Sequence, residues 1–257
     1  MRLSIVIPCY NEASRGIDTD KSLLNRLNDL RLNLSLPFEY EVIIVNDASK
    51  DNTKGVCEEF ISEYGLENWS CHTQAINVGK GRSIMYGIKK AKGDYVTYID
   101  ADLSVSVDFL NQFFSKHELK EDICYVGDRS HKDSIIINKR SICRKFVSFC
   151  SRAYTHMMLR LPVYDTQCGF KVFYRERFMK FRPFMNGYKW LFDVELLYCM
   201  YYTNVKLESV PVVWNNMESE STLKVIPALR NTFHDFVHFL CEKSNLDRDL
   251  IDCCSHK

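Results

Sequence analysis

The first hundred residues alternate between short apolar runs and amphipathic segments, and this alternation constrains the fold more than any other feature of the sequence. β-Branched and aromatic residues predict strands at 3–7, 41–45, 69–75 and 95–99. Apolar residues at helical spacing predict three intervening helices: one through Leu23, Leu27 and Leu30, one with Asp51 as its N-cap, and one over 82–91. Strands that alternate with helices predict a mostly parallel central sheet flanked by helices, the Rossmann-like α/β class.

The second half of the sequence is less regular. It predicts strands at 123–127 and 205–213, a loop at 129–140, and helices at about 141–159 and 223–242. No internal repeat, low-complexity tract or linker interrupts it. We therefore expect a single domain.

Composition excludes several classes of protein. The 257 residues carry a net charge of only +1, so we expect no nucleic-acid partner. The 11 cysteines are scattered without a Cys-x-x-Cys pair, which favours reduced thiols and a cytoplasmic protein. We predict neither a signal peptide nor a transmembrane span, because no apolar run approaches roughly 20 residues. Any membrane contact would then be peripheral.

Two aspartates follow the predicted strand at 95–99, whose residues are β-branched, aromatic and uncharged. Asp100 and Asp102 are two residues apart, so on an extended chain both side chains point to the same side. Two carboxylates placed together need a cation or hydrogen-bond donors, and Mg²⁺ or Mn²⁺ binds such a pair together with phosphate oxygens. The alternative is a solvated turn after a strand.

Polar loops follow the other predicted strands as well: Pro8-Cys-Tyr-Asn-Glu12, Asn46-Asp47 and Asn77-Val-Gly-Lys-Gly81. Parallel α/β sheets bind ligands outside the carboxyl ends of their strands. A carboxylate there can accept the imide hydrogen of a uracil-type base, and glycines with free backbone N–H groups suit an anion. Turn chemistry explains each loop alone, whereas their joint order favours a nucleotide site.

Three later segments, together with these loops, resemble the family-2 inverting glycosyltransferases with a GT-A fold. They are Asp165-Thr-Gln-Cys-Gly-Phe-Lys171, Trp190-Leu-Phe-Asp-Val-Glu-Leu-Leu197 and Val210-Pro-Val-Val-Trp214. Within that family the sequence is most similar to the dolichyl-phosphate β-glucosyltransferases, sisters of the dolichol-phosphate mannose synthases. The resemblance implies a nucleotide-sugar donor, UDP-glucose in first place, and a polyprenyl or dolichyl phosphate as acceptor.

The resemblance also implies roles for individual residues. On the nucleotide side, Pro8, Tyr10 and Glu12 would border the nucleotide, and Asp47 would read its base. The donor would be contacted by Lys80, Gly81, Asp100 and Ala101, and Asp100 and Asp102 would hold Mg²⁺ or Mn²⁺. Arg129 would face the phosphates or the acceptor, and Asp165 would lie near the reaction centre. A nucleotide-binding half at 1–128 and an acceptor half at 129–243 would make up the domain, with 244–257 as a tail.

The sequence departs from the family pattern at three places. Asn46 replaces the first of two aspartates, and Arg82-Ser83 replaces the small residues that usually follow Gly-Lys-Gly. The N-terminal hydrophobic segment usual in the glucosyltransferases of this group is absent from the sequence. A glycan or another hydroxyl-bearing acceptor therefore stays open.

The chemistry expected of the site depends on the acceptor. A phosphate is already ionised near pH 7 and needs only cations such as Arg129 or Arg140 to position it. A hydroxyl must lose its proton, and Asp165 or Asp193 is the candidate general base. For Asp193 and Glu195, caps or partners of Lys189 and Arg177 are the alternative.

Two functions from other classes remain. A nucleotidyltransferase also combines an α/β sheet with paired aspartates, but it should carry a glycine-rich, basic loop after its first strand. An inactive sugar-nucleotide-binding module would have lost ligands, yet Asp47, Asp100, Asp102 and Asp165 are all present. The loop Pro8-Cys-Tyr-Asn-Glu12 is not of the first kind, which counts against a nucleotidyltransferase, and the four aspartates favour an enzyme over an inactive module.

Three features near the end of the sequence have ordinary explanations beside functional ones. His234 and His238 could ligate a metal, but no acidic third ligand has the usual zinc spacing, which favours solvent or groove positions instead. Trp190 and Trp214 favour core positions over sugar platforms. The apolar stripe through Val225, Leu229, Phe233, Phe236, Val237 and Leu240 predicts a helix packed on the sheet or, alternatively, a helix lying on a membrane surface.

Overall fold

The computed structural model describes residues 1–15, 22–137, 156, 158–187, 191–215 and 225–255, and for 225–233 and 252–255 it describes the backbone only.

Parallel strands dominate the structure, as the alternation predicts. The strands are β1 (Arg2–Cys9), β2 (Glu39–Asn46), β3 (Trp69–Thr73), β4 (Tyr95–Tyr98), β5 (Ile123–Asp128), β6 (Ile135–Ile137), β7 (Lys171–Tyr174), β8 (Lys206–Pro211) and β9 (Val213–Asn215). Seven of them form one sheet in the order β3-β2-β1-β4-β7-β5-β8, while β6 and β9 pair separately. Only β7 runs antiparallel to its neighbours in the large sheet.

Helices cover both faces of this sheet. They are α1 (Leu23–Asn33), α2 (Thr53–Glu63), α3 (Lys80–Lys90), α4 (Val107–Lys116), α5 (Arg175–Phe181), α6 (Phe192–Tyr202) and α7 (Val225–Ser255). Because side chains alternate along a strand, β1 sends Val6 into one apolar layer and Ile5 into the other. The first layer also contains α3, α5, α6 and α7, and the second contains α1, α2 and α4. The layered α/β fold is therefore confirmed.

Several local predictions need correction. Helix α2 has Asn52 at its N-cap, although Asp51 still accepts the Thr53 N–H at 3.0 Å. The sequence did not predict α4, α5 or β7. The last helix does not end near Glu242 but continues to Ser255, and Leu246 and Leu250 in this extension are buried. The helix expected at 141–159 lies mostly outside the described residues.

The last helix packs against the domain through the part whose side chains are described. Phe236 and Phe239 are buried in the core, whereas Val237, predicted on the same stripe, is 42% exposed. Phe233 lies outside the described side chains. Among the described helices, none is long and apolar enough to cross a membrane.

Candidate active site

The loops after β1, β2 and β4 each contain a non-glycine residue in the left-handed region: Asn11 (φ 53°), Ala48 (φ 52°) and Leu103 (φ 49°). This conformation is uncommon for such residues and tends to cluster at functional sites. The three strands are neighbours, and their carboxyl ends meet at one edge of the sheet. The Asn11 N–H donates to Ser49 Oγ at 2.9 Å and ties the first two loops together. The predicted polar loops therefore share one edge.

The loop after β1 is fixed by a buried arginine. Glu12 is buried, and its two carboxylate oxygens accept from Arg15 Nη1 at 2.7 Å and from Arg26 Nη1 at 3.1 Å. Burial raises the pKa of Glu12, and the two arginines offset this only in part. Arg26 Nη1 also donates to the Ala101 carbonyl at 2.5 Å. Arg26 thus connects Glu12 with the turn that carries Asp100 and Asp102.

Arg26 was not predicted as a site residue. The signal in the sequence is a cation on the apolar face of α1, next to Leu27, at a position where charge is costly. Pro8 and Tyr10 lie at the end of β1, as expected. The pairing of β1 with β2 continues past Pro8 to Cys9, which pairs with Asn46.

Asp47 fastens the loop that precedes α3. Its carboxylate oxygens accept the N–H groups of Val78 and Gly79, each at 2.8 Å, and the side chain is buried. Gly79 has φ 88°, a conformation that favours glycine. Two ionised carboxylate oxygens offer about four acceptor positions, so these bonds leave room for a base N–H. The assignment of Asp47 as base reader stays a prediction.

Lys80 and Gly81 open α3 beside the paired aspartates. Lys80 Nζ lies 2.5 Å from Asp100 Oδ1, and Gly81 is buried. Burial lowers the pKa of Lys80, but the charges of Asp100 and Asp193 outweigh it and raise that pKa overall. Lys80 is therefore a cation next to the first aspartate.

A turn brings Asp100 and Asp102 together. Strand β4 ends at Tyr98, so the two side chains are not placed by strand alternation as predicted. Instead the Leu103 N–H donates to the Asp100 carbonyl at 2.9 Å, and the Ser104 N–H donates to Asp102 Oδ1 at 2.9 Å. Burial, followed by the charge of Asp100, raises the pKa of Asp102.

This donor set fits a hard divalent cation. Two close carboxylates with unfavourable mutual charge are what Mg²⁺ or Mn²⁺ compensates, with phosphate oxygens completing the coordination. Within the described parts of the chain, no group of three or more His, Cys, Asp or Glu side chains forms a ready cage. Gly169 lies against Asp100 so closely that an added Cβ would clash with its carboxylate. The glycine thus leaves space for Asp100, a contact that the sequence did not reveal.

Asp165 and Arg129 form a bidentate ion pair. Arg129 Nε and Nη2 donate to the two carboxylate oxygens, each at 2.7 Å, and the Arg129 backbone N–H donates at 3.0 Å. Asp165 is fully buried, and the guanidinium lies 4.9 Å from the centre of the Trp214 ring. The structure therefore brings these two predicted residues together, in a geometry that favours positioning of Arg129 over proton transfer by Asp165.

Asp193 pairs with a buried lysine. Its Oδ1 accepts from Lys171 Nζ at 2.6 Å and from the Tyr98 hydroxyl. Burial would raise the pKa of Asp193, but the charges of Lys171 and Lys80 lower it overall. Lys171 has no exposed side-chain surface and was not predicted. The cationic partner of Asp193 is thus Lys171 and not Arg177. The other expected partner, Lys189, lies outside the described residues.

Three other candidates, Glu195, His234 and His238, contact residues outside the loops after β1, β2 and β4. Glu195 accepts the backbone N–H groups of Asn186 and Gly187 at 2.7 and 2.9 Å, as a loop cap. His234 is mostly exposed, and His238 lies 3.3 Å from Glu242. Trp214 is buried. Arg140 and Trp190 lie outside the described residues.

Solved glycosyltransferases share this fold. A mannosyltransferase, PcManGT from Pyrobaculum calidifontis, in complex with GDP-Man and Mn²⁺, matches with a TM-score of 0.54 and 18% identity, over 83% of this chain and 56% of that one. Residues 1–349 of S. aureus TarS match with a TM-score of 0.53 and 18% identity, over 84% of this chain and 60% of that one. At these identities the likeness supports the fold, and the predicted GT-A class is confirmed.

Sequence relatives are more similar. A dolichyl-phosphate β-glucosyltransferase of Dictyostelium discoideum is 32% identical over 84% of this chain and 67% of its own length. The human dolichyl-phosphate β-glucosyltransferase is 30% identical over 88% of this chain and 70% of its own length. The chain thus spans about two thirds of the length of these relatives. The model of glycosyl transferase family 2 matches residues 4–182, which shows that the chain belongs to this family.

Proposed function

We propose that the chain is an inverting glucosyltransferase that transfers glucose from UDP-glucose to a polyprenyl phosphate of the dolichyl phosphate type, with Mg²⁺ or Mn²⁺ as cofactor. Relatives named dolichyl-phosphate β-glucosyltransferase match more than four fifths of the chain at about 30% identity. The edge that carries Asp47, Lys80, Asp100 and Asp102 is where a sheet of this class binds nucleotides.

In this proposal the chain's own residues hold the donor. Asp47 accepts the uracil N3–H, Lys80 contacts the diphosphate, and Arg26 keeps the Ala101 carbonyl and hence the two aspartates in position. When bound at Asp100 and Asp102, a divalent ion would withdraw charge from the diphosphate leaving group. Glu12 keeps Arg26 in place.

The observation that carries the choice of acceptor is that both predicted general bases are already held in ion pairs. Asp165 gives both oxygens to Arg129, and Asp193 is paired with Lys171 and has a lowered pKa. Both carboxylates thus already have cationic partners, which favours neither of them as a general base. A phosphate acceptor does not need a general base, because the second pKa of a phosphate monoester is about 6 and the group is therefore already ionised near pH 7.

Arg129 would orient that acceptor phosphate. Asp165 fixes the guanidinium through Nε and Nη2, so Nη1 remains for a ligand oxygen. An inverting transfer then needs the acceptor oxygen behind the anomeric carbon, in line with the departing diphosphate. Since a polyprenyl phosphate resides in a bilayer, the enzyme would act peripherally at a membrane surface, and we place this on the cytoplasmic side.

Transfer from UDP-glucose in the presence of Mn²⁺ tests the proposal, with a short polyprenyl phosphate as acceptor and the matching polyprenol as control. We expect a glucosyl phospholipid with β configuration, and no product from the polyprenol. Product from the polyprenol would instead favour the hydroxyl-acceptor alternative. Failure of UDP-glucose alongside transfer from another nucleotide sugar would contradict the donor assignment.

A further inference from the structure

A second cleft lies between α3 and the segment that follows α5. Its volume is about 430 Å³, within the range of small-molecule sites. Val78 connects it to the candidate active site, because the Val78 side chain lines the cleft while its backbone N–H is held by Asp47. Neither Asp100 nor Asp102 lines it.

The charged residues that line the cleft are cationic. They are Arg82, Lys89 and Arg182, and no carboxylate among the described residues lines it. In the described part of the structure none of the three forms an ion pair, and the buried Arg182 Nε has no hydrogen-bond partner. Arg82 Nε donates to the Asn186 carbonyl at 3.1 Å, which leaves its terminal nitrogens for a ligand. Three unpaired cations around one opening favour an anion.

Lys90 adds a further positive charge beside the cleft. Its Nζ lies 5.5 Å from the centre of the Tyr86 ring, and Tyr86 lines the cleft.

The rest of the lining combines the neutral polar residues Gln74 and Asn186 with Val78, Met85, Tyr86 and Met185. Methionine adapts its shape to flat and to chain-like groups alike. A ligand of this cleft would therefore combine an anionic group with an apolar or aromatic part.

Close backbone packing fixes the cleft. Gly187 has φ 65°, and a Cβ there would lie 2.6 Å from Met85 Sδ and 2.9 Å from Arg82 Cγ. The Gly187 backbone thus packs directly on the stems of two lining residues.

We propose that this cleft binds a phosphate ester, with the phosphate between Arg82 and Arg182 and the organic part against Met85, Tyr86 and Met185. A soluble phosphorylated metabolite and a phospholipid headgroup share this chemistry. The site is separate from the proposed donor and acceptor positions, and the proposal goes beyond the proposed function.

The test is a titration of the full chain with phenyl phosphate, in which saturation-transfer NMR measures binding. Saturating UDP and Mn²⁺ are present so that the candidate nucleotide site is filled. Co-sedimentation with phosphatidylcholine vesicles, with and without phosphatidic acid, tests the lipid source. The variants are Arg82→Gln/Arg182→Gln and Lys89→Gln. The control Lys54→Gln/Lys116→Gln removes two exposed cations elsewhere.

We expect phenyl phosphate to bind wild type and the control variant with the same affinity. Its affinity for Arg82→Gln/Arg182→Gln should be lower by about tenfold or more, because charge-assisted hydrogen bonds are lost. Binding only to vesicles that contain phosphatidic acid, with the same sensitivity, supports the lipid source. Lys89→Gln should weaken binding too, and it decides the matter if the double variant does not fold. Equal affinity in all variants, or no binding of either probe to wild type, overturns the proposal. UDP binding is measured separately, so its failure counts against the proposed function alone.

Discussion

Lys80 Nζ lies 2.5 Å from Asp100 Oδ1, at the point where α3 begins and the turn after β4 carries the second carboxylate, Asp102. The lysine offsets one of two neighbouring negative charges, and the raised pKa of Asp102 indicates that the other remains poorly compensated. This unequal compensation leads to the first two predictions.

Lys80→Met should weaken donor binding without unfolding the protein. Loss of one charge-assisted contact costs about 1.5–3 kcal/mol, or roughly ten- to a hundredfold in the Kd for UDP-glucose. Calorimetric titration with Mn²⁺ present measures this change. The partly exposed Lys54→Gln serves as the control for charge loss. An unchanged Kd would contradict a donor role for Lys80.

Asp102→Asn should abolish transfer and yet leave the metal-free protein at least as stable as wild type at pH 7. The folded-state pKa of Asp102 is raised, so its ionised form destabilises the fold above that pKa, and acidification through the pKa relieves the penalty. The asparagine variant lacks this penalty at every pH. Without metal, the melting temperatures of wild type and Asp102→Asn, measured from pH 4 to 8, should therefore approach each other as the pH falls.

Ligand addition should reverse that order. A ligand at a hundred times its Kd stabilises the native state by about 2.7 kcal/mol. Mn²⁺ with UDP should therefore raise the melting temperature of wild type by several degrees more than that of Asp102→Asn. Equal increases would exclude Asp102 as a metal ligand.

The sequence predicted the carboxyl edge of the sheet well, because buried strands followed by polar loops are a local pattern. Asp47, Lys80 and Asp100 lie where that pattern places them. What it could not predict depends on contacts between distant segments. Lys171 belongs to the inserted antiparallel strand β7, only four residues long, and Gly169 matters only because Asp100 lies against it. Arg26 is a charged residue on the apolar face of a predicted helix, and the spacing of apolar residues alone gives no reason to assign it a function.

Gly169→Ala tests the contact with Asp100. The new Cβ would overlap the Asp100 carboxylate, so that side chain must leave its present position beside Lys80. We expect transfer to fall by at least about tenfold with only a modest change in melting temperature, since small geometric errors at a reacting site are costly. Full activity would show that Asp100 has freedom that the structure does not suggest. A large loss of stability would assign Gly169 to packing alone.

The buried pair of Asp193 and Lys171 should be stabilising mainly as a pair. Lys171→Met leaves Asp193 without its nearest cation, and breaking such a pair typically costs about 3–5 kcal/mol. The double variant Lys171→Met/Asp193→Asn should lose less than the sum of the single variants, which urea unfolding measures. Additive losses would exclude coupling between the two residues.

Acid titration gives a second test of the same pair. The folded-state pKa of Asp193 is lowered, so its contribution is present above the unfolded value of about 3.9 and is lost as pH falls through the folded value. Wild type should therefore lose more stability below about pH 4 than the double variant does. Parallel pH profiles would contradict this.

The last prediction concerns the base of the donor. Asp47 uses one acceptor position on each oxygen for Val78 and Gly79, so the N3–H of uracil can still donate to it, whereas cytosine presents no such hydrogen. UDP should therefore raise the melting temperature of wild type more than CDP does. Asp47→Asn, which keeps one acceptor oxygen for the loop, should reduce this preference by roughly tenfold in relative affinity, because a neutral acceptor replaces a charged one. The loop itself is the control: if Asp47→Asn weakens the binding of UDP and of CDP by the same factor, so that the preference for UDP remains, and unfolds at a lower temperature without ligand, Asp47 serves to hold Val78 and Gly79, and base selection must come from another residue at this edge. Equal protection of wild type by UDP and CDP would exclude Asp47 as a reader of the base without any variant.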